Sequence, residues 1–239
     1  ITAALEGLDP ELRSALQAAA DGIRDFNEAH LATDHTYERD GIVVRGRKVP
    51  VDRAGCYVPG GRAIYPSTVL MTAIPAKVAG VPEVVLCVPP DATGTVPAVT
   101  LAAAAIAGVD EVYGIGGAQA IGAMAYGTES VRPVDVIVGP GNVYVALAKR
   151  QVAGMVGVPS SFPGPSEVVV IADGSAPPEL AAVDVILQAE HGPGGLAWLI
   201  SWDAEALDAI CAEIEAQVAV APRRDDIEST FAEGGYAVL

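Results

Sequence analysis

Val134-Asp135-Val136-Ile137-Val138-Gly139-Pro140-Gly141-Asn142 decides the fold: a short apolar run fit for a buried strand, a glycine-proline turn, then a helical pattern reaching about Met155. The same order recurs on either side. Upstream, Ser67 caps a helical segment to Val78, followed by strand Val84 to Val88, an Ala-rich helix from Pro97 to Ala107, strand Glu111 to Ile115 and helix Ala118 to Tyr126. Downstream, a Pro/Ser/Gly-rich break from Pro159 to Pro165 precedes strand Glu167 to Ile171 and a helix from Pro177 to His191. Strand Ala197 to Ser201, helix Ala204 to Val218, a helix near Asp225 to Ala232 and a strand opening at Tyr236 complete the chain. Strands alternating with helices argue for parallel sheets covered on both faces, so the fold class is α/β with two Rossmann-like units meeting at the break.

Before the rhythm begins, Asp9-Pro10 reads as an N-cap followed by a first-turn proline. Leu12, Leu16, Ala19, Ile23 and Phe26 then recur at helical spacing. Ile42 to Val44 and Val49 to Val51, around Arg45-Gly46-Arg47, predict a small hairpin leading to Gly55-Cys56-Tyr57-Val58-Pro59-Gly60-Gly61. Pro75 is expected to kink the helix that contains it. Both ends read as cut, because the chain opens on Ile1 and its last strand would leave an unpaired edge.

With 239 residues, 51% of them hydrophobic, the chain can bury a substantial core. Its net charge of −16, with only 14 scattered Lys and Arg, argues against nucleic-acid and anionic-membrane partners. A small anionic cofactor held by backbone amides is still compatible with that charge. Cys56, Cys87 and Cys211 lie far apart without a C-x-x-C pair, which favours no disulfide framework and makes a reducing cytoplasm the expectation. No apolar stretch is long enough to span a bilayer, and no membrane partner is expected.

Three glycine turns follow strands: Gly60-Gly61, Gly114-Ile115-Gly116-Gly117 and Gly139-Pro140-Gly141-Asn142. Turns without side chains at the carboxyl ends of parallel strands let helix N-termini and amides approach a phosphate, so together they point to a nucleotide. The run from Gly114 to Gln119 lacks the last glycine of the G-x-G-x-x-G fingerprint, so the standard pyrophosphate grip is not expected. Gly164-Pro165-Ser166-Glu167 places a hydroxyl and a carboxylate where the two units meet. Without a G-x-S-x-G elbow, hydrolase chemistry is discounted. In Gln188-Ala189-Glu190-His191, closed by Gly192-Pro193, an amide and an imidazole three residues apart share one helix face and could hold one metal ion. On spacing alone they read first as a helix-end pair, and only second as ligands.

Taken in order, these five segments resemble the histidinol dehydrogenases, over essentially the whole chain. The resemblance implies an aldehyde-dehydrogenase-like fold and a zinc- and NAD-dependent enzyme that oxidises L-histidinol through the aldehyde to L-histidine, in histidine biosynthesis. It implies that Tyr57, Gln119 and Asn142 line the NAD site, that Ser166, Gln188 and His191 touch substrate, and that Gln188 and His191 bind zinc. The family's Glu-His proton-transfer pair and further zinc ligand have no counterpart here, so no catalytic residue is assigned and the chain alone is expected to be inactive. The implied domains are an NAD-binding part, 55–164, and a discontinuous substrate and zinc part, 1–54 with 165–239. A homodimer is implied as well. Val158 to Pro163 departs from the usual family loop, which keeps open a paralogous dehydrogenase of another small polar alcohol. A non-catalytic nucleotide-binding remnant is the other alternative.

Overall fold

A computed structural model describes residues 1–60, 63–159, 166–192 and 194–239. The chain divides into two compact units, Ile1–Phe162 and Pro163–Leu239. Gly61, Gly164, Pro165 and Pro193 of the motifs above lie outside the described residues.

The first unit opens with α1 (Thr2–Glu6) and α2 (Pro10–Ala29). The Asp9 carboxylate accepts from the Glu11 and Leu12 amides, and Pro10 starts the helix, as expected. Leu16 and Ala20 form the buried stripe of α2, while Leu12 and Phe26 stay exposed. The hairpin differs from expectation. It joins β1 (His35–Arg39) to β2 (Ile42–Gly46) around Asp40-Gly41, not around Arg45-Gly46-Arg47. Both Asp40 (φ 50°) and Gly41 (φ 77°) adopt positive φ, as a two-residue turn that matches strand twist requires.

A four-stranded parallel sheet follows, in the order β5-β4-β3-β6, from β3 (Arg53–Tyr57), β4 (Glu83–Cys87), β5 (Glu111–Tyr113) and β6 (Val136–Val138). Helices α3 (Pro66–Val78) and α4 (Ala98–Ala107) cover one face, packing Val69, Leu70, Ala73 and Ala103 on Ala54, Cys56, Val84 and Leu86. On the other, α5 (Gly117–Tyr126) and α6 (Val143–Val152) pack Ile121, Met124 and Val145 on Tyr57, Val85 and Ile137. Both faces are covered because the strand order reverses. Right-handed crossovers from β3 through β4 to β5 keep their helices on one side, and the return past β3 to β6 puts α5 on the other. Gly55 lets α5 close on the sheet, since a Cβ there would lie 2.6 Å from Met124 Sδ. One local expectation changes: Ser67 makes no side-chain cap for α3, which begins at Pro66; the helix reaches Val78, as expected, with Pro75 inside it.

Residues 1–54 lie within Ile1–Phe162, where the apolar stripe of α2 buries into the same core as α3 and Val51 packs against it.

The second unit is a three-stranded parallel sheet, β7 (Glu167–Ile171), β8 (Leu196–Ile200) and β9 (Gly235–Val238), in sequential order, with α7 (Pro178–Ala189), α8 (Ala204–Val220) and α9 (Arg224–Gly234). The terminal strand pairs in register with β8, Trp198 opposite Tyr236. All three helices pack on the face carrying Val168, Val170, Ala197 and Leu199. The opposite face carries exposed Val169, Ile171 and Tyr236, so covering on both faces does not extend to this unit. Crossovers that always advance in one direction place every helix on one side. Among the described residues, no helix is long and apolar enough to cross a membrane.

Candidate cofactor and metal sites

Ligands of open parallel sheets sit outside the carboxyl ends of the strands where the order reverses, here between β3 and β6. Tyr57 ends β3, Asn142 caps α6 in the turn that follows β6, and Gln119 lies in the first turn of α5. Short contacts tie the three segments together. The Tyr57 ring is buried, and its hydroxyl accepts from the Gly117 amide at 3.0 Å. Gly117 has φ +67°, and a Cβ there would come within 2.9 Å of the Gln119 side-chain oxygen. Gly139, at φ +105°, runs so close to β3 that a Cβ would overlap the Tyr57 carbonyl oxygen. The Asn142 side-chain oxygen accepts from the Tyr144 and Val145 amides, both at 3.1 Å.

This end of the sheet can take a phosphate without a cationic side chain at its surface, because the first turn of α5 presents backbone amides beyond that of Gly117; in α6 the Tyr144 and Val145 amides are already taken by Asn142. A 490 Å³ cavity beside it is lined by Pro59, Gly60, Tyr65, Val88, Pro89 and Thr100. Asp91, beyond β4, stands near where many dinucleotide folds carry a ribose-binding acid. Its carboxylate is committed locally to Thr93 and Thr95, and the Thr93 hydroxyl, followed by those backbone amides, holds its pKa below the ordinary range.

Beneath the site, Lys149 of α6 is 3% exposed and its ammonium donates to the Gly139 carbonyl oxygen. Burial pushes its pKa down. The sequence reading passed over this lysine. Its signal was a charged residue in line with Val145 and Val152 on the buried stripe of a helix. Arg53 was also passed over; at the amino ends of the strands it bonds Glu83 and Glu111, which Arg132 also joins, and this cluster secures the sheet at the end away from the candidate site.

In the second unit, Gln188 at the end of α7 meets Ser166 at the start of β7, and His191 follows three residues after Gln188. The Gln188 side-chain amide donates to the Ser166 carbonyl oxygen at 3.1 Å. His191 Nδ1 lies 3.0 Å from the Leu187 carbonyl oxygen. With Nδ1 protonated in that contact, Nε2 keeps the lone pair a metal needs, as second-shell partners commonly arrange. The Gln188 oxygen accepts from no described residue, so the donor chemistry of the pair fits two of the ligands of a zinc ion. It does not complete a site: among the described residues no group of three or more His, Cys, Asp or Glu gathers to hold a metal.

Two residues without a place in the sequence reading keep this corner in shape. Thr230 of α9, fully buried, donates from its hydroxyl to the Ala189 carbonyl oxygen at 3.0 Å and so secures the end of α7. Gly195 lies against the Gln188–Ser166 hydrogen bond, and a Cβ there would be 3.3 Å from Gln188 Nε2 and 3.4 Å from the Ser166 oxygen.

Comparison with known proteins places these features in a family. A sequence description of the histidinol dehydrogenases matches residues 1–239. Histidinol dehydrogenase of Dechloromonas aromatica is 49% identical over 237 residues, covering 99% of this chain and 54% of the relative. That of Pseudomonas putida is 51% identical over 229 residues, covering 95% and 52%. The chain thus spans about half the length of the curated relatives it matches. A crystal structure of histidinol dehydrogenase from Elizabethkingia anophelis superposes with a TM-score of 0.93 at 38% identity, covering all of this chain and 55% of that one. A benzaldehyde dehydrogenase from Corynebacterium glutamicum, 18% identical with a TM-score of 0.54 and covering 91% of this chain and 49% of that one, shares the fold alone. With the ordered motifs and the doubly wound sheet already in place, a match over every residue leads to one conclusion: the chain belongs to the histidinol dehydrogenase family.

Proposed function

We propose that this chain contributes the nucleotide-binding unit and part of the substrate and zinc unit to an NAD-dependent oxidation of L-histidinol through the aldehyde to L-histidine. The observation that carries the reading is that residues far apart in sequence gather into two groups with the right chemistry. Tyr57, Gln119 and Asn142 gather at the carboxyl end of the reversing sheet, and Ser166, Gln188 and His191 at the end of α7.

In this reading, backbone amides at α5, with the Gln119 and Asn142 side chains, orient the dinucleotide, and the Tyr57 hydroxyl holds the Gly117 amide in place. Gln188 oxygen and His191 Nε2 hold zinc, and the Ser166 hydroxyl bonds the substrate. When bound, NAD takes up the hydride at each of two oxidations and zinc orients the amino alcohol. His191 is committed to the metal and its Nδ1 to Leu187; no proton-transfer residue is assigned within this chain, which is inactive by itself. Residues 55–164 serve the nucleotide, and 165–239 together with 1–54 serve substrate and zinc. It also includes a homodimer working in the cytoplasm.

The test is to read the coding frame past Leu239 and assay the encoded protein with NAD⁺ against histidinol and other small amino or sulfonated alcohols. NADH formation selective for histidinol is expected. Preference for a different alcohol would make the protein a paralogous dehydrogenase, and a stop codon after Leu239 with no turnover would leave a nucleotide-binding remnant.

A further inference from the structure

Lys149 is buried to 3% exposure, on a helix whose other inward residues are Val145, Ala146 and Val152. An ammonium in such surroundings is costly, and a protein retains one where its charge and donors have a use. Here its side chain reaches back toward the start of α6 and donates to the carbonyl oxygen of Gly139.

That carbonyl belongs to the turn on which the nucleotide side of the sheet depends. Gly139 has φ +105° and stands against the Tyr57 backbone, with a Cβ position 2.9 Å from the Tyr57 carbonyl carbon and 3.1 Å from its nitrogen. Two residues on, Gly141 closes against Val145, and Asn142 caps the helix that carries Lys149. With the Gly139 oxygen drawn inward, the peptide plane between Gly139 and Pro140 is fixed, and the turn delivers Asn142 to the opening of the crevice. Tyr57, held on the other side of Gly139, reaches with its hydroxyl to Gly117 and so connects the same turn to α5. A backbone amide could have satisfied the Gly139 oxygen. An ammonium adds a positive charge directly under a site proposed to take a dianionic diphosphate, in a chain of net charge −16.

We infer that Lys149 is a positioning residue for the nucleotide: its ammonium fixes the Gly139 peptide, aligns Tyr57 and Asn142 on either side of it, and supplies positive charge to the floor of the diphosphate site. The inference rests on the reading of this crevice as the NAD site and deepens it by naming a group that does not touch the cofactor.

The test titrates NAD⁺ into the chain and into its Lys149→Met and Lys149→Arg variants by calorimetry, with thermal melting followed in parallel. Loss of one charged donor is expected to weaken NAD⁺ binding by about tenfold in Lys149→Met. Lys149→Arg, which keeps charge and donors, retains affinity within about threefold. A Lys149→Met protein that melts like the parent and binds NAD⁺ equally well overturns the inference. So do equal affinity losses in both variants that follow their melting temperatures, since that is the pattern of a purely structural residue. If Lys149→Met does not fold, the parent chain decides. The ¹⁵N resonance of the Lys149 ammonium is expected to shift as NAD⁺ binds, and an unmoved resonance at saturation overturns the proposal. Failure of the parent chain itself to bind NAD⁺ is a distinct outcome that removes the nucleotide reading and this inference with it.

Discussion

Replacing Gly139 by alanine probes the joint between the sheet and the nucleotide turn. The backbone stands at φ +105°, where an L side chain is strained by about 1–2 kcal/mol. The added Cβ would overlap the Tyr57 carbonyl oxygen and lie 2.9 Å from the carbonyl carbon behind it. Relief cannot come from a side-chain rotation, because the neighbour is the backbone of the central strand, paired with both β4 and β6. Forced repacking of that kind adds about 1–3 kcal/mol, so a total near 3 kcal/mol is expected. For a unit of this size the midpoint should fall by about 9 °C. The assay has a built-in reference. Both tryptophans, Trp198 and Trp202, lie in the second unit, so tryptophan fluorescence follows that unit while far-UV circular dichroism follows both. Gly139→Ala should lower the circular dichroism transition of the first unit and leave the fluorescence transition in place. Gly22→Ala is the control: in mid-helix with nothing within 4 Å of its Cβ position, it should stabilise the same unit by about 0.5–1 kcal/mol. A Gly139→Ala protein within about 1 kcal/mol of the parent would refute the close-approach reasoning.

Glu111 offers a pH test. Its hydrogen bond with Arg53, followed by that with Tyr113, pulls its pKa from 4.5 to about 2. A folded value below the ordinary one gives stability that is full above about pH 4.5 and lost as pH falls toward 2. Glu111→Gln should therefore cost about 1–2 kcal/mol at neutral pH, discounted for its partial exposure, and the gap should close on acidification; a gap independent of pH would count against the ion cluster. Burial raises the Cys56 thiol to about 11 and Cys87 to about 12, so neither should react with a thiol reagent in the native chain. Cys211, only partly buried, should label first and the other two on denaturation; rapid labelling of all three would contradict the packing of β3 and β4. Gln188 and His191 supply two neutral donors, so zinc should dialyse away against a weak chelator, and stoichiometric retention would show that the chain holds further ligands. Gly195→Val should displace the Gln188 amide from Ser166, read as a changed Gln188 side-chain resonance; an unmoved one would show that the corner has slack.

Much of the fold was legible in the chain because periodicity reports each residue's immediate surroundings. The strand at Val136–Val138, the helix ending beside Gln188 and the helix begun by Asp9-Pro10 lie close to where alternation, spacing and capping put them. The Asp40-Gly41 turn was legible too, yet the neighbouring Arg45-Gly46-Arg47 competed with it; the pair that tolerates positive φ at both positions prevailed. The ordered motifs likewise carried the family.

Sequence by itself settled the strands and helices from Glu83 onward, where the glycine turns fall, and which family the chain resembles, since each depends on residues near one another. Tertiary structure alone decided which faces are covered, because that follows from the direction in which successive strands are laid down: reversed in the first sheet, constant in the second. It also chose the long-range partners: Lys149 with Gly139, Thr230 with Ala189, and Arg53 with two acids from separate strands. Those pairings arise where distant segments share an end of a sheet or a helix. Only strand order and packing bring such groups within hydrogen-bonding reach.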